Sequence, residues 1–155
     1  MSQHWTLKKK LFLTPLAFQT DADWWRALRA ETDRRQGRVL LYVHGYRETF
    51  ETTSKDAAQI ARMTGFDGPV IEYSWPSQGR FLSYVVDETN MYHDVRNFRD
   101  FLKSLAEQSW VKEIVVVSHS LGARLVLADL DPHAGNETLR QVRDLGTEAL
   151  LATSD

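Results

Sequence analysis

Apolar positions run in two rhythms along this chain. Near-continuous apolar stretches occupy Arg38 to Val43, Val70 to Ser74 and 113–117, each short enough to read as a strand buried on both faces. Between them apolar residues fall three and four apart, the spacing of one helical face. A first helix runs through Trp24, Trp25, Leu28 and Arg29 to about Arg35, with Asp21 or Asp23 as its cap and Gly37 after its end. Phe50, Ala57, Ala58 and Ala61 mark a second, closed by Gly65. A third, from about Asp87 to Gln108, buries Val95, Phe98, Phe101, Leu102 and Leu105, and a fourth starts at Leu121 and runs to about Leu130. Thr6 to Leu13 suggests a further strand ended by Pro15. After Pro132 and Gly135 come a short amphipathic helix (Leu139, Val142, Leu145) and a strand-like run from Glu148 to Thr153. Strands alternating with helices predict a mostly parallel sheet covered on both faces: one three-layer α/β domain over residues 1–155.

Composition narrows the class without changing the fold. A chain of 155 residues is long enough for one buried core. With a net charge of −2 there is no electrostatic pull toward nucleic acid or an anionic membrane. No cysteine is present, so disulfides, a thiol nucleophile and thiolate metal sites are excluded. No apolar run approaches the roughly 18 residues that span a bilayer. Lys8-Lys9-Lys10 before Leu11 to Phe18 resembles a signal peptide, but Thr14 and Pro15 interrupt it and no small-x-small cleavage pattern follows closely. The chain is read as cytoplasmic.

The chemistry gathers where strands end. Ile114 to Val117 leads into Ser118-His119-Ser120-Leu121-Gly122, a strand, tight turn and helix with Ser120 at the apex. A nucleophile elbow needs this context, because the turn lifts the hydroxyl above the sheet while the next backbone N–H faces a developing oxyanion. Gly122 supplies the small residue that close strand–helix approach requires; Ser118 stands where glycine is usual. The bland alternative for Ser120 is a helix N-cap. His44-Gly45-Tyr46 follows the strand at 38–43, and it reads equally as a plain strand-to-helix turn with a hydrogen-bonded histidine or as a turn in which Gly45 lets a nearby N–H, such as that of Tyr46, join that of Leu121. Trp75-Pro76-Ser77 ends the run from Val70 to Ser74. In a parallel sheet all three loops share the edge where ligands bind.

These residues, with Ala57-Ala58-Gln59-Ile60-Ala61, Gly65-Phe66-Asp67-Gly68-Pro69-Val70 and Ala123-Arg124, resemble the α/β-hydrolase superfamily. In detail they are similar to a bacterial family of uncharacterised esterase-like serine α/β-hydrolases, over roughly residues 38–130. The resemblance implies Ser120 as nucleophile and the N–H groups of Tyr46 and Leu121 as oxyanion hole. It makes Trp75, Arg80 and Tyr84 pocket lining, and the loops at the shared sheet edge add His44, Gly45 and His119 around the substrate. It implies a small acyl substrate and no metal or other cofactor.

The superfamily order is Ser, then Asp or Glu, then His. After Ser120 thirty-five residues remain, and His133 is their sole histidine. Thirteen mostly helical positions would carry it about 20 Å from the elbow, so it reads as a surface-loop residue. His44 belongs to the oxyanion loop, His119 packs beside the elbow, and His93 reaches the cleft only if the 77–92 loop folds over it. Ala149 to Asp155 is similar to the family's next strand, with Asp155 as a candidate acid. The expectation is a hydrolase truncated before its later strands and catalytic histidine, with an apolar sheet edge open to self-association. Two functions follow: acyl transfer on a carboxylic ester through Ser120, or an inactive hydrolase-like module that binds a ligand or partner chain.

Overall fold

A computed structural model describes residues 20–46, 48–75, 84–129 and 148–154, with side chains for all of these but 84–89 and 148–154. In chain order the elements are α1 (Asp21–Asp33), β1 (Arg38–Val43), α2 (Phe50–Thr64), β2 (Val70–Tyr73), α3 (Tyr84–Ala106), β3 (Glu113–His119), α4 (Leu121–Asp129) and β4 (Glu148–Ser154). The expected strand at 6–13 and helix at 139–145 lie outside the described residues. Every strand pair is parallel and the order is β2-β1-β3-β4. The α/β fold read from the sequence is the fold observed.

Alternation along β1 explains why its sequence is apolar almost throughout. Val39, Leu41 and Val43 face one core, packed with Leu28 of α1, Phe98, Leu102 and Leu105 of α3, and Leu125 and Val126 of α4. Leu40 and Tyr42 face the other, against Ala57 and Ala61 of α2. Successive strand side chains point to opposite faces, so a strand sandwiched between helix layers needs apolar residues on both. β1 is that central strand.

Helix boundaries refine the expectation. Thr20, not Asp21 or Asp23, caps α1: its backbone is extended (φ −140°) and its hydroxyl accepts from the Asp23 N–H at 3.2 Å. The two aspartates sit in the first turn, where negative charge suits the helix dipole. Thr49 and Thr52 form a reciprocal box at the start of α2, and Gly65 ends it with φ 66°. Phe50 is 68% exposed, so the inward stripe of α2 is Thr53, Ala57 and Ala61. The stripe of α3 includes Met91 and a carboxylate, Asp94, which accepts from the Tyr73 hydroxyl at 2.7 Å and the Asn97 amide at 2.8 Å. A buried carboxylate is tolerated on an apolar face when donors meet it.

The helices behind the elbow are joined by charge. Arg99 of α3 donates to Asp129 of α4 at 2.7 Å; the Asp129 side chain is fully buried and the guanidinium reaches solvent. Burial raises the Asp129 pKa, and the bond to Arg99 opposes that rise. Arg99→Leu is therefore expected to cost about 2 kcal/mol at neutral pH, less than a fully buried pair because water still screens Arg99. The sign with pH follows. Without Arg99 the carboxyl pKa climbs further, and the protonated form carries no buried charge. The gap between variant and wild type should then narrow as pH falls through the carboxyl's range, and urea unfolding at several pH values checks this.

Candidate active site

The strand order reverses beside β1. The chain passes from β1 outward to β2, then returns to place β3 on β1's other side. Loops leaving the carboxyl ends of β1 and β3 therefore diverge, and the crevice between them is where ligands bind in open α/β sheets. His44-Gly45-Tyr46 leaves β1 there, and Ser120 follows β3, which runs on to His119.

Ser120 is exposed and has φ 53°, a left-handed conformation that costs a non-glycine residue about 1–2 kcal/mol. Ser120 directly precedes α4, as a cap does, but its backbone differs from the side-chain caps of this same chain. Thr20 and Thr49 are extended, with φ −140° and −99°, and their hydroxyls accept from the helix backbone. The Ser120 hydroxyl makes no such bond among the described residues. Its strain is held by close packing on either side. A Cβ on Gly122 would sit 2.3 Å from the His44 carbonyl oxygen and 2.5 Å from that of Val43. One on Gly45 would sit 3.0 Å from both the Ser120 Cβ and the His119 carbonyl oxygen. The position taken by Ser118 is 1% exposed, and its hydroxyl is buried without a partner among the described residues. Size, not hydrogen bonding, is what that position selects.

Of the donors expected of an oxyanion hole, Leu121 follows this turn directly. The first α4 bonds run from the N–H groups of Ala123 (3.0 Å) and Arg124 (3.4 Å) back to the Ser120 carbonyl. The Leu121 N–H precedes them, outside the helical ladder and at the positive end of the helix dipole. Tyr46, half-buried, packs against the main core from the facing loop.

His44 and Trp75, expected around the substrate, lie below the surface at 3% and 2% exposure. Their rings stack at 5.2 Å with 9° between planes, and the indole N–H donates to the His44 carbonyl at 2.8 Å. His44 Nδ1 in turn contacts the Gly45 carbonyl oxygen at 2.9 Å. These rings hold the loop from beneath. Trp75→Phe removes the donor and strands a buried carbonyl, so it should cost about 1–3 kcal/mol in urea unfolding.

One site residue was not singled out from the sequence. Glu48, two positions after Tyr46, accepts from His119 Nδ1 at 3.0 Å. The two flank a cleft of about 260 Å³ that also takes in Tyr42, Asp56, Gln59, Ile60 and Met63. Burial, together with the charge on Glu48, Asp56 and Glu72, pushes the Tyr42 hydroxyl pKa well up. A larger cleft, about 600 Å³, lies at the outer flank of β2 and contains none of the elbow residues. Arg80, His133 and Asp155 lie outside the described residues; Tyr84 opens α3, but its side chain is outside them too. His93 sits well inside α3 and is exposed. Among the described residues no group of three or more His, Cys, Asp or Glu gathers to hold a metal ion. No helix among them is long and apolar enough to cross a membrane.

A family model described as "Alpha/beta hydrolase of unknown function (DUF900)" matches residues 21–155, from the start of α1 through β4. No curated protein and no solved structure matches the chain.

Proposed function

The chain belongs to this α/β-hydrolase family, and from that premise we propose that Ser120 is the nucleophile of acyl transfer on a carboxylic ester or related acyl substrate. One observation carries the reading: an exposed serine held at φ 53° at the strand-order reversal, where the chain has spaces for glycine on both sides. Strain of that kind persists only where surrounding packing enforces it.

In the proposed reaction the Ser120 oxygen attacks the acyl carbon and its proton passes to a base. The carbonyl oxygen becomes an oxyanion, held by the N–H groups of Leu121 and Tyr46. Collapse of the tetrahedral species expels the alcohol, which takes a proton, and leaves the acyl group on Ser120. Water then attacks that ester, releasing the acid and restoring the hydroxyl. The reading assigns this chain the nucleophile and the oxyanion hole, not the base. No described histidine bonds the Ser120 hydroxyl: His44 is buried, His119 is held by Glu48 and His93 is exposed on α3. That same observation favours a second reading, an inactive module that keeps the crevice to bind an acyl ligand or a partner chain.

Turnover separates the two. The full chain is incubated with short p-nitrophenyl esters beside Ser120→Ala. Release of p-nitrophenol by the wild type alone supports the hydrolase. Equal release by both proteins, or none from the folded wild type, supports the module.

A further inference from the structure

We propose that the Glu48–His119 bridge is a positioning clamp that sets the spacing between the two halves of the oxyanion hole. The inference rests on the reading of Ser120 as nucleophile and adds to it residues that act through others. Glu48 belongs to the β1–α2 loop that carries Tyr46, and His119 is the residue directly before Ser120. Their 3.0 Å hydrogen bond crosses the crevice from that loop to the end of β3. The Glu48 side chain is 16% exposed, so water competes weakly for it, while the His119 side chain is 46% exposed. The other Glu48 oxygen, Oε2, is buried with no partner. Among the described residues, that leaves the bond to His119 as the contact that repays burial of this carboxylate.

The place where the bridge acts is fixed by Gly45. A Cβ there would lie 2.8 Å from His119 Nδ1 and 3.0 Å from the Ser120 Cβ, so imidazole, nucleophile and oxyanion loop converge on one point. Beneath the loop the His44–Trp75 stack fixes its start, and the Thr49 capping box fixes its end at α2. Glu48–His119 is the tie across the mouth, where Tyr46 must face Leu121. A donor displaced by about 1 Å from a developing oxyanion forfeits about 10²-fold in rate. The bridge also fixes the ring's tautomer, since Nδ1 carries the proton given to Glu48.

The test reads covalent capture of Ser120 by a fluorophosphonate, whose tetrahedral adduct draws on the same N–H groups. Glu48→Ala should lower the maximal labelling rate about 10²-fold while the half-saturating probe concentration stays near wild type, the sign of an interaction made in the transition state. Glu48→Gln keeps an acceptor for Nδ1–H and should recover most of that rate. His119→Ala should match Glu48→Ala, and the double variant should be no slower than either, because both remove one bond. Backbone hydrogen exchange should quicken in residues 44–49 of Glu48→Ala, with the rest of the protein unchanged. Wild-type labelling kinetics or unaltered exchange in Glu48→Ala would overturn the clamp, and so would additive losses in the double variant. Loss in Glu48→Gln equal to that in Glu48→Ala would also overturn it, in favour of charge alone. A folded wild type that is never labelled at Ser120 instead overturns the nucleophile reading beneath it.

Discussion

Gly122→Val is expected to abolish stable folding, or to leave a protein at least about 3 kcal/mol weaker than wild type. The smallest added side chain atom would already stand 2.3 Å from the His44 oxygen and 2.5 Å from the Val43 oxygen. Both are backbone atoms of the central strand and its exit, so no flexible side chain can give way. Overpacking usually costs about 1–3 kcal/mol, and rigid neighbours put this site at or beyond the top of that range. The available relaxation is to lift α4 off β1, which opens the core around Leu121, Leu125 and Val126. Against a typical total of about 5–15 kcal/mol, little stability would remain. Urea unfolding measures the change, and a midpoint near wild type would show that strand and helix are not in this close contact.

Ser120→Gly should produce two opposite effects at once. Ester turnover should fall by at least about 10⁴-fold, the scale on which removal of a serine nucleophile is felt. Stability should rise by about 0.5–1 kcal/mol, because glycine adopts φ 53° without the Cβ penalty and the lost hydroxyl caps no helix among the described residues. A serine that merely capped α4 would behave otherwise: glycine in its place would cost a few tenths of a kcal/mol and leave turnover untouched. Thermal unfolding with parallel ester assays distinguishes them, and a gain in stability with turnover intact would contradict the elbow's catalytic role.

The fold was legible because burial on two faces leaves a plain mark. Val39 to Val43 is apolar at every step since β1 meets a helix layer on each side, and Gly65 marked the end of α2 through the one backbone shape it adopts. The elbow was legible for a related reason. Ser120 and Gly122 are close in sequence, and their spacing encodes the local crossing of strand and helix. Long-range pairings left less trace. Glu48 and His119 stand 71 positions apart, and nothing in the periodicity of either neighbourhood announces that they meet. Trp75 looked like pocket lining, yet its indole N–H turns inward to the His44 carbonyl, a choice set by tertiary packing. Thr20, Asp21 and Asp23 all offer oxygen to the start of α1, and only the extended backbone at Thr20 decides among them. Asp94 sat unnoticed in an apolar stripe because its partner Tyr73 comes from another element.

The proposed role of Ser120 as nucleophile is tested most directly by exposing the full folded chain to a fluorophosphonate and locating the adduct by peptide mass spectrometry. A single stoichiometric adduct on Ser120 is expected, lost in Ser120→Ala and lost when the chain is unfolded before exposure. No adduct on the folded protein, or an adduct spread over other serines and unchanged in Ser120→Ala, would contradict it.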